Sequence, residues 1–202
     1  MRFVLISFFF FLFSCSGNQN PAETTVTDTL QKNISPPDTL KKDSVNSYSR
    51  PFINSTDELA QLVFAAVKSN KVEDYLILLP TMEEITELVT NAKLDEDTKK
   101  KSIEQFPEKR KEEIVKAKDL FAKTVQIAAD SGIFWNKTSY YTTQANVQTT
   151  PAGFDQALSI SIIFAFNQKY FEIALGDCIK TASGWRVSSR IRYDGAPNNP
   201  VK

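Results

Sequence analysis

Between Ser55 and Ala128 the apolar positions recur every three to four residues, and after Gly132 they recur every second. That change of period divides the chain into a helical part and a strand part. In the first part Leu59, Leu62, Val63, Ala66 and Val67 follow i, i+3, i+4, i+7, i+8 spacing, one helical stripe turned toward a core. Ser55-x-x-Glu58 precedes it as a capping box, with the serine placed to bond the N3 amide and the glutamate the cap amide. Residues 72–79 read as a short second helix stopped by Pro80, and Thr81-x-x-Glu84 repeats the capping signal for a helix over 82–92. Residues 95–119 carry eight acidic and eight basic side chains, with pairs such as Glu112 and Lys116 at i, i+4. Mixed signs that cancel read as a solvated helical face rather than a binding patch. Pro107 fits the first position of a final helix that buries Ile114, Ala117, Phe121, Val125 and Ala128 and stops at Gly132.

The second part predicts strands over residues 134–148, 156–167, 169–180 and 185–193. Along the second, Leu158, Ile160, Ile162, Phe164 and Phe166 alternate with Ala157, Ser159, Ser161, Ile163 and Ala165. Along the third, Phe171, Ile173, Leu175 and Ile179 alternate with Tyr170, Glu172, Ala174, Gly176 and Cys178. The connections at Asn167-Gln168 and at 181–184 are short enough for antiparallel hairpins. Helices first, then an antiparallel meander with one apolar face, predict an α+β domain over 52–195, with N-terminal helices on one face of a sheet of about four strands. Residues 196–202 read as a tail.

This order, with the Leu59–Val67 stripe at the start and a last strand opening Gly184-Trp185-Arg186-Val187 after YFEIALGDCIKTAS, resembles the NTF2-like/cystatin-like superfamily. The resemblance implies a curved sheet, a pocket between helix and sheet, and dimerisation through the open sheet face. On that face Ser159, Ser161, Ala165, Ala174 and Gly176 would pack flat against a second copy. In the pocket reading Asp177 is an acid beside Trp135 or Tyr141, because its strand parity matches Phe171, Ile173 and Leu175, where an unpaired carboxylate is costly. A bulge at Gly176 would instead rotate Asp177 to solvent. Arg186, Arg190 and Arg192 share a face of the last strand. They read either as an anion or partner site, or as an exposed face whose stems cover apolar neighbours and pair with Glu172 across the ladder.

The N-terminus changes the picture. Arg2 is followed by an apolar run over residues 3–13, broken only by Ser7. It is too short to cross a membrane, which takes about 20 apolar residues, and it suits a secretory signal. The run ends in Leu12-Phe13-Ser14-Cys15, which resembles the lipobox of bacterial lipoproteins. The resemblance implies cleavage of residues 1–14, acylation of Cys15, and a cell-envelope address on a bacterial membrane, on the periplasmic side of the outer membrane. Residues 15–51 are rich in Ser, Thr, Asn, Asp and Pro, too polar to bury a core, and form a tether. As a coil its ends lie on the order of 30–35 Å apart. Within it Asp28-Thr29-Leu30, Asp38-Thr39-Leu40 and Asp43-Ser44-Val45 resemble the O-glycosylation sequon of Bacteroidetes extracytoplasmic proteins. That marks Thr29, Thr39 and Ser44 as glycan sites.

Composition then removes chemistries. The 24 basic and 24 acidic side chains cancel, so there is no basic field for nucleic acid. There is no histidine, which excludes Ser-His-Asp and Cys-His catalysis and His-ligated zinc. Cys178, alone once Cys15 is acylated, has no disulfide partner and no histidine to activate it. No cofactor and no metal site is expected. Two functions remain. One is a tethered, non-catalytic module that binds an envelope protein or a small ligand. The other is a small-pocket enzyme using Asp177 with neighbouring aromatic residues.

Overall fold

The computed structural model describes residues 50–197. The lipidation site Cys15 and the glycan positions Thr29, Thr39 and Ser44 lie outside the described residues. The elements are α1 (Thr56–Ser69), α2 (Val72–Leu76), α3 (Met82–Asn91), α4 (Glu96–Asp130), a 3-10 turn (Trp135–Lys137), β1 (Ser139–Thr149), β2 (Asp155–Phe166), β3 (Lys169–Thr181), β4 (Gly184–Arg186) and β5 (Ile191–Gly195). The domain is α+β, with helices N-terminal to a curved, unclosed antiparallel sheet, an arrangement compatible with the NTF2-like description. β1, β2 and β3 lie side by side in chain order. β4 and β5 both pair with β3, at residues 179–181 and 172–175 respectively.

The helix starts follow their capping residues. Ser55 Oγ accepts the Glu58 amide at 3.1 Å, and Glu58 returns to the amide of Asn54 at 2.8 Å, one residue ahead of the expected cap amide. At α3 both halves of the Thr81–Glu84 box are made. α2 is shorter than predicted: the Ile77 amide makes a last helical bond to Glu73, and beyond it the backbone continues as three-residue turns, Leu78 to Tyr75 and Leu79 to Leu76. Pro107 does not start a helix. It lies exposed inside the 35-residue α4, whose cap is Asp95, accepting from the Thr98 amide at 2.9 Å and the Thr98 hydroxyl at 2.7 Å. A proline inside a helix forfeits one amide bond, a cost of about 3 kcal/mol that strong helix formers on both sides can carry. Gly132, at φ 84°, ends α4 as expected, with the Ile133 amide reaching back to Ala128.

The strands depart from prediction in three places. Residues 134–137 hold a 3-10 turn rather than the start of β1. The last strand, expected to run unbroken over 185–193, is split into β4 and β5. The parity of β3 also switches: Leu175 and Cys178, three apart, are both buried. The switch sits at Asp177, whose backbone is left-handed at φ 52°. Across from it, Leu158 is exposed while Ala157 and Ile160 are buried.

The core lies between the helices and one sheet face. Phe64 of α1 meets Phe164 at 5.8 Å and Tyr140 at 6.0 Å, Tyr75 of α2 meets Phe121 of α4 at 5.4 Å, and Phe171 stacks on Tyr193 at 6.4 Å. Each large side chain fully buried contributes about 1.5–3 kcal/mol. The chain enters beside β4: Ile53 bridges Gly184, where a Cβ would lie 2.3 Å from the Ile53 carbonyl oxygen. Only glycine allows that approach.

Candidate functional site

Glu84 is placed at the third position of α3 by its own capping bond, and that fixes where its carboxylate points. Arg186 reaches it from β4, 102 residues away in sequence, and is itself 1% exposed. Glu84 Oε1 accepts from Arg186 Nε at 2.9 Å and Nη2 at 2.7 Å, while Oε2 accepts from Arg50 Nη1 at 3.1 Å and the Thr81 amide at 2.8 Å. Arg186 Nη1 also donates to the carbonyls of Pro51 at 3.3 Å and Trp185 at 3.0 Å. Arg50 Nε donates to the Ile77 carbonyl at 3.0 Å, and its Nη2 to those of Ile77 and Leu79. Arg110 of α4 donates to the Pro80 carbonyl.

Burial pushes the Glu84 carboxyl up, but the hydrogen bonds from Arg186 and Thr81 and the charges of Arg186 and Arg50 outweigh it. The net pKa is below the ordinary carboxylate range. Burial lowers Arg50 and Arg110, with Glu84 opposing. Above this cluster opens a cleft of about 380 Å³ whose mouth carries Phe52, Glu83, Glu87 and Ser183. The arginines of its floor already donate to Glu84 and to backbone carbonyls. Of the lining residues Phe52, Glu83 and Glu87 are exposed, and the Arg50 side chain is 25% exposed. Sequence reasoning missed this site. Glu84 was legible only as a cap, and Arg50 and Pro51 fell within the tether.

The predicted pocket trio is not brought together. Asp177 accepts from Arg190 Nη1 and from Gln156 Nε2 at 3.3 Å, which pairs its carboxylate instead of aiming it into a cavity or releasing it to water. Trp135 stands in the 3-10 turn, 5.3 Å from the Phe164 ring, with Nε1 donating to the Val125 carbonyl at 3.3 Å. Tyr141 is exposed on the outer face of the sheet beside the end of β2, far along the strands from Asp177, its ring 4.6 Å from Tyr170. Phe64, Phe164, Trp135 and Tyr140 occupy the space between α1 and the sheet, and Tyr140 OH donates to Asp57.

Nor do the three arginines share a face, because the strand that would have aligned them is broken. Arg186 is buried in β4. Arg190 precedes β5 and pairs with Asp177. Arg192 is exposed in β5 and donates to Asp194 at 2.6 Å, which raises its pKa. Glu172 accepts from Ser161 Oγ at 2.5 Å. Cys178 is fully buried. Burial pushes its thiol up to about 12, with the Ser188 backbone pulling down and Asp177 adding to the rise, so it is a packing residue rather than a nucleophile.

Among the described residues no group of three or more His, Cys, Asp or Glu side chains is placed to hold a metal, and no helix is long and apolar enough to cross a membrane. Set against protein-family models, curated proteins and solved structures, the chain has no match.

Proposed function

We propose that this chain is a bacterial envelope lipoprotein, acylated at Cys15 and held on a glycosylated tether, whose NTF2-like domain is a non-catalytic module for an envelope protein or small ligand. The observation that supports the non-catalytic reading is where the charged groups are spent. Glu84, Arg186, Asp177 and Arg190 are paired across elements that they hold together, and aromatic side chains fill the space under the sheet. The enzyme reading needs Asp177, Trp135 and Tyr141 around one cavity, and they stand apart. The cleft lined by Phe52, Glu83 and Glu87 is a surface open to a ligand or a partner's side chain.

Fractionation of bacteria producing the full chain tests the address. The wild type is expected in the membrane pellet and released by detergent but not by high salt, since acyl chains hold by burial of CH₂ groups. Cys15→Ser is expected to lose incorporation of an alkyne-tagged palmitate. Equal incorporation by wild type and Cys15→Ser would end the lipoprotein reading.

A further inference from the structure

One end of the sheet collects aromatic side chains on both of its faces. Phe134, at the 3-10 turn, is 61% exposed and packs 6.0 Å from Phe166 on the helix side of the β2–β3 hairpin. On the opposite face of the same hairpin Tyr141 and Tyr170, 45% and 37% exposed, lie with ring centroids 4.6 Å apart. The hairpin turn between them, Asn167-Gln168, is a tight left-handed pair at φ 49° and 62°. Three half-exposed rings so straddle a two-residue turn and form a wedge.

The charge around the wedge is one-sided in a chain that is balanced overall. Residues 131–141 and 166–170 contain Lys137 and Lys169 and no Asp or Glu. Lys137 Nζ lies 5.6 Å from the Phe134 ring centroid. From α1, Lys68 reaches the same end and donates to the Thr138 carbonyl at 2.6 Å. The nearest acids flank the segment: Asp130, exposed and accepting from the neutral amide of Gln126 at 2.7 Å, and Glu172, buried and accepting from Ser161.

Aromatic rings with one polar edge beside lysines are the side chains that settle at a bilayer–water boundary. There the rings enter the headgroup layer and the ammonium groups meet anionic lipid. A protein partner or a polysaccharide would use the rings but has no need of the lysines set beside them. We propose that this aromatic end of the domain docks on an anionic lipid surface, a second membrane contact made by protein side chains. The proposal rests on the membrane address given above but does not use the acyl chain.

The test uses the full chain carrying Cys15→Ser, so that failure of acylation cannot be confused with failure of the wedge. An environment-sensitive fluorophore is attached either at Asn136→Cys, beside the wedge, or at Val147→Cys, exposed near the opposite end of β1. Vesicles of phosphatidylethanolamine with phosphatidylglycerol, whose negative surface attracts lysines, carry a doxyl-lipid quencher. The probe at 136 is expected to be quenched at least about twofold more than the probe at 147, and Lys137→Glu with Lys169→Glu to weaken that signal about tenfold or more. Vesicles of phosphatidylethanolamine alone should give little quenching at 136. Equal quenching at 136 and 147, an unchanged signal in the double lysine variant, or no association with the vesicles would overturn the proposal, and the first two results would point to a protein-binding surface.

Discussion

Glu84 does two jobs at once: it caps α3 through the Thr81 amide and it pairs with two arginines, Arg50 and Arg186 of β4. With side-chain exposures of 1% and 8%, Arg186 and Glu84 are a desolvated pair. Removing one partner strands a buried charge, at a cost of about 3–5 kcal/mol. Arg186→Met is therefore expected to lower the urea midpoint sharply, and Arg186→Met with Glu84→Leu to recover part of the loss. The pH dependence has a fixed sign. Because the fold holds the Glu84 carboxyl below its ordinary pKa, its contribution is complete above about pH 5 and is lost as pH falls through the folded value. Urea midpoints of wild type and Glu84→Gln should differ at neutral pH and converge in acid. A constant gap down to the acid transition would mean that Glu84 is not held as the carboxylate. Its role as a cap was legible from four consecutive residues, whereas its pairing with a residue 102 positions away was not. Local chemistry fixes the first, and only the meeting of α3 with β4 creates the second.

At the scale of elements, legibility followed the length over which one physical rule held. The α1 stripe is carried by one unbroken periodicity and was read correctly. The β2–β3 hairpin was read correctly in its pairing and turn but not in the face of Leu158 and Cys178, which lie at and beyond the switch at Asp177. The α4 start was misread because Pro107 was given its local meaning, while the Asp95 cap and the helix formers on both sides of the proline outweighed it. The division of the last strand was hidden because it depends on Asp177, where a left-handed residue reverses the parity of β3 and displaces what pairs beyond it. Packing also differs along the helices. Glu84 is the one buried residue of α3, and α4 buries its side chains only from Ala117 onward. Lys109 in the unburied half holds its ammonium away from water without a hydrogen-bond partner among the described residues. Few buried apolar contacts mean cheap local opening. Amides of α3 and of α4 before Ala117 are expected to exchange with deuterium at least about tenfold faster than those of β2 and β3. Equal protection would contradict that packing account.

For the whole molecule, the α+β class was accessible from the order of periods, helix first and strand second, whereas the curvature of the sheet was expected only from the resemblance to the NTF2-like superfamily. The candidate site was less accessible, because its residues belong to the chain entrance, a helix start and a short strand that meet only in the folded domain. In the proposed account this domain is a head with a cleft, carried on a polar tether and set against lipid by its aromatic end. That account rests on the proposed acylation of Cys15, which would decide the compartment in which any partner or ligand is met. The direct measurement is the intact mass and first residue of the protein purified from bacterial membranes. The account predicts a chain that begins at Cys15 and carries diacylglycerol and acyl mass. A chain that retains Met1, or begins elsewhere without lipid, would contradict it.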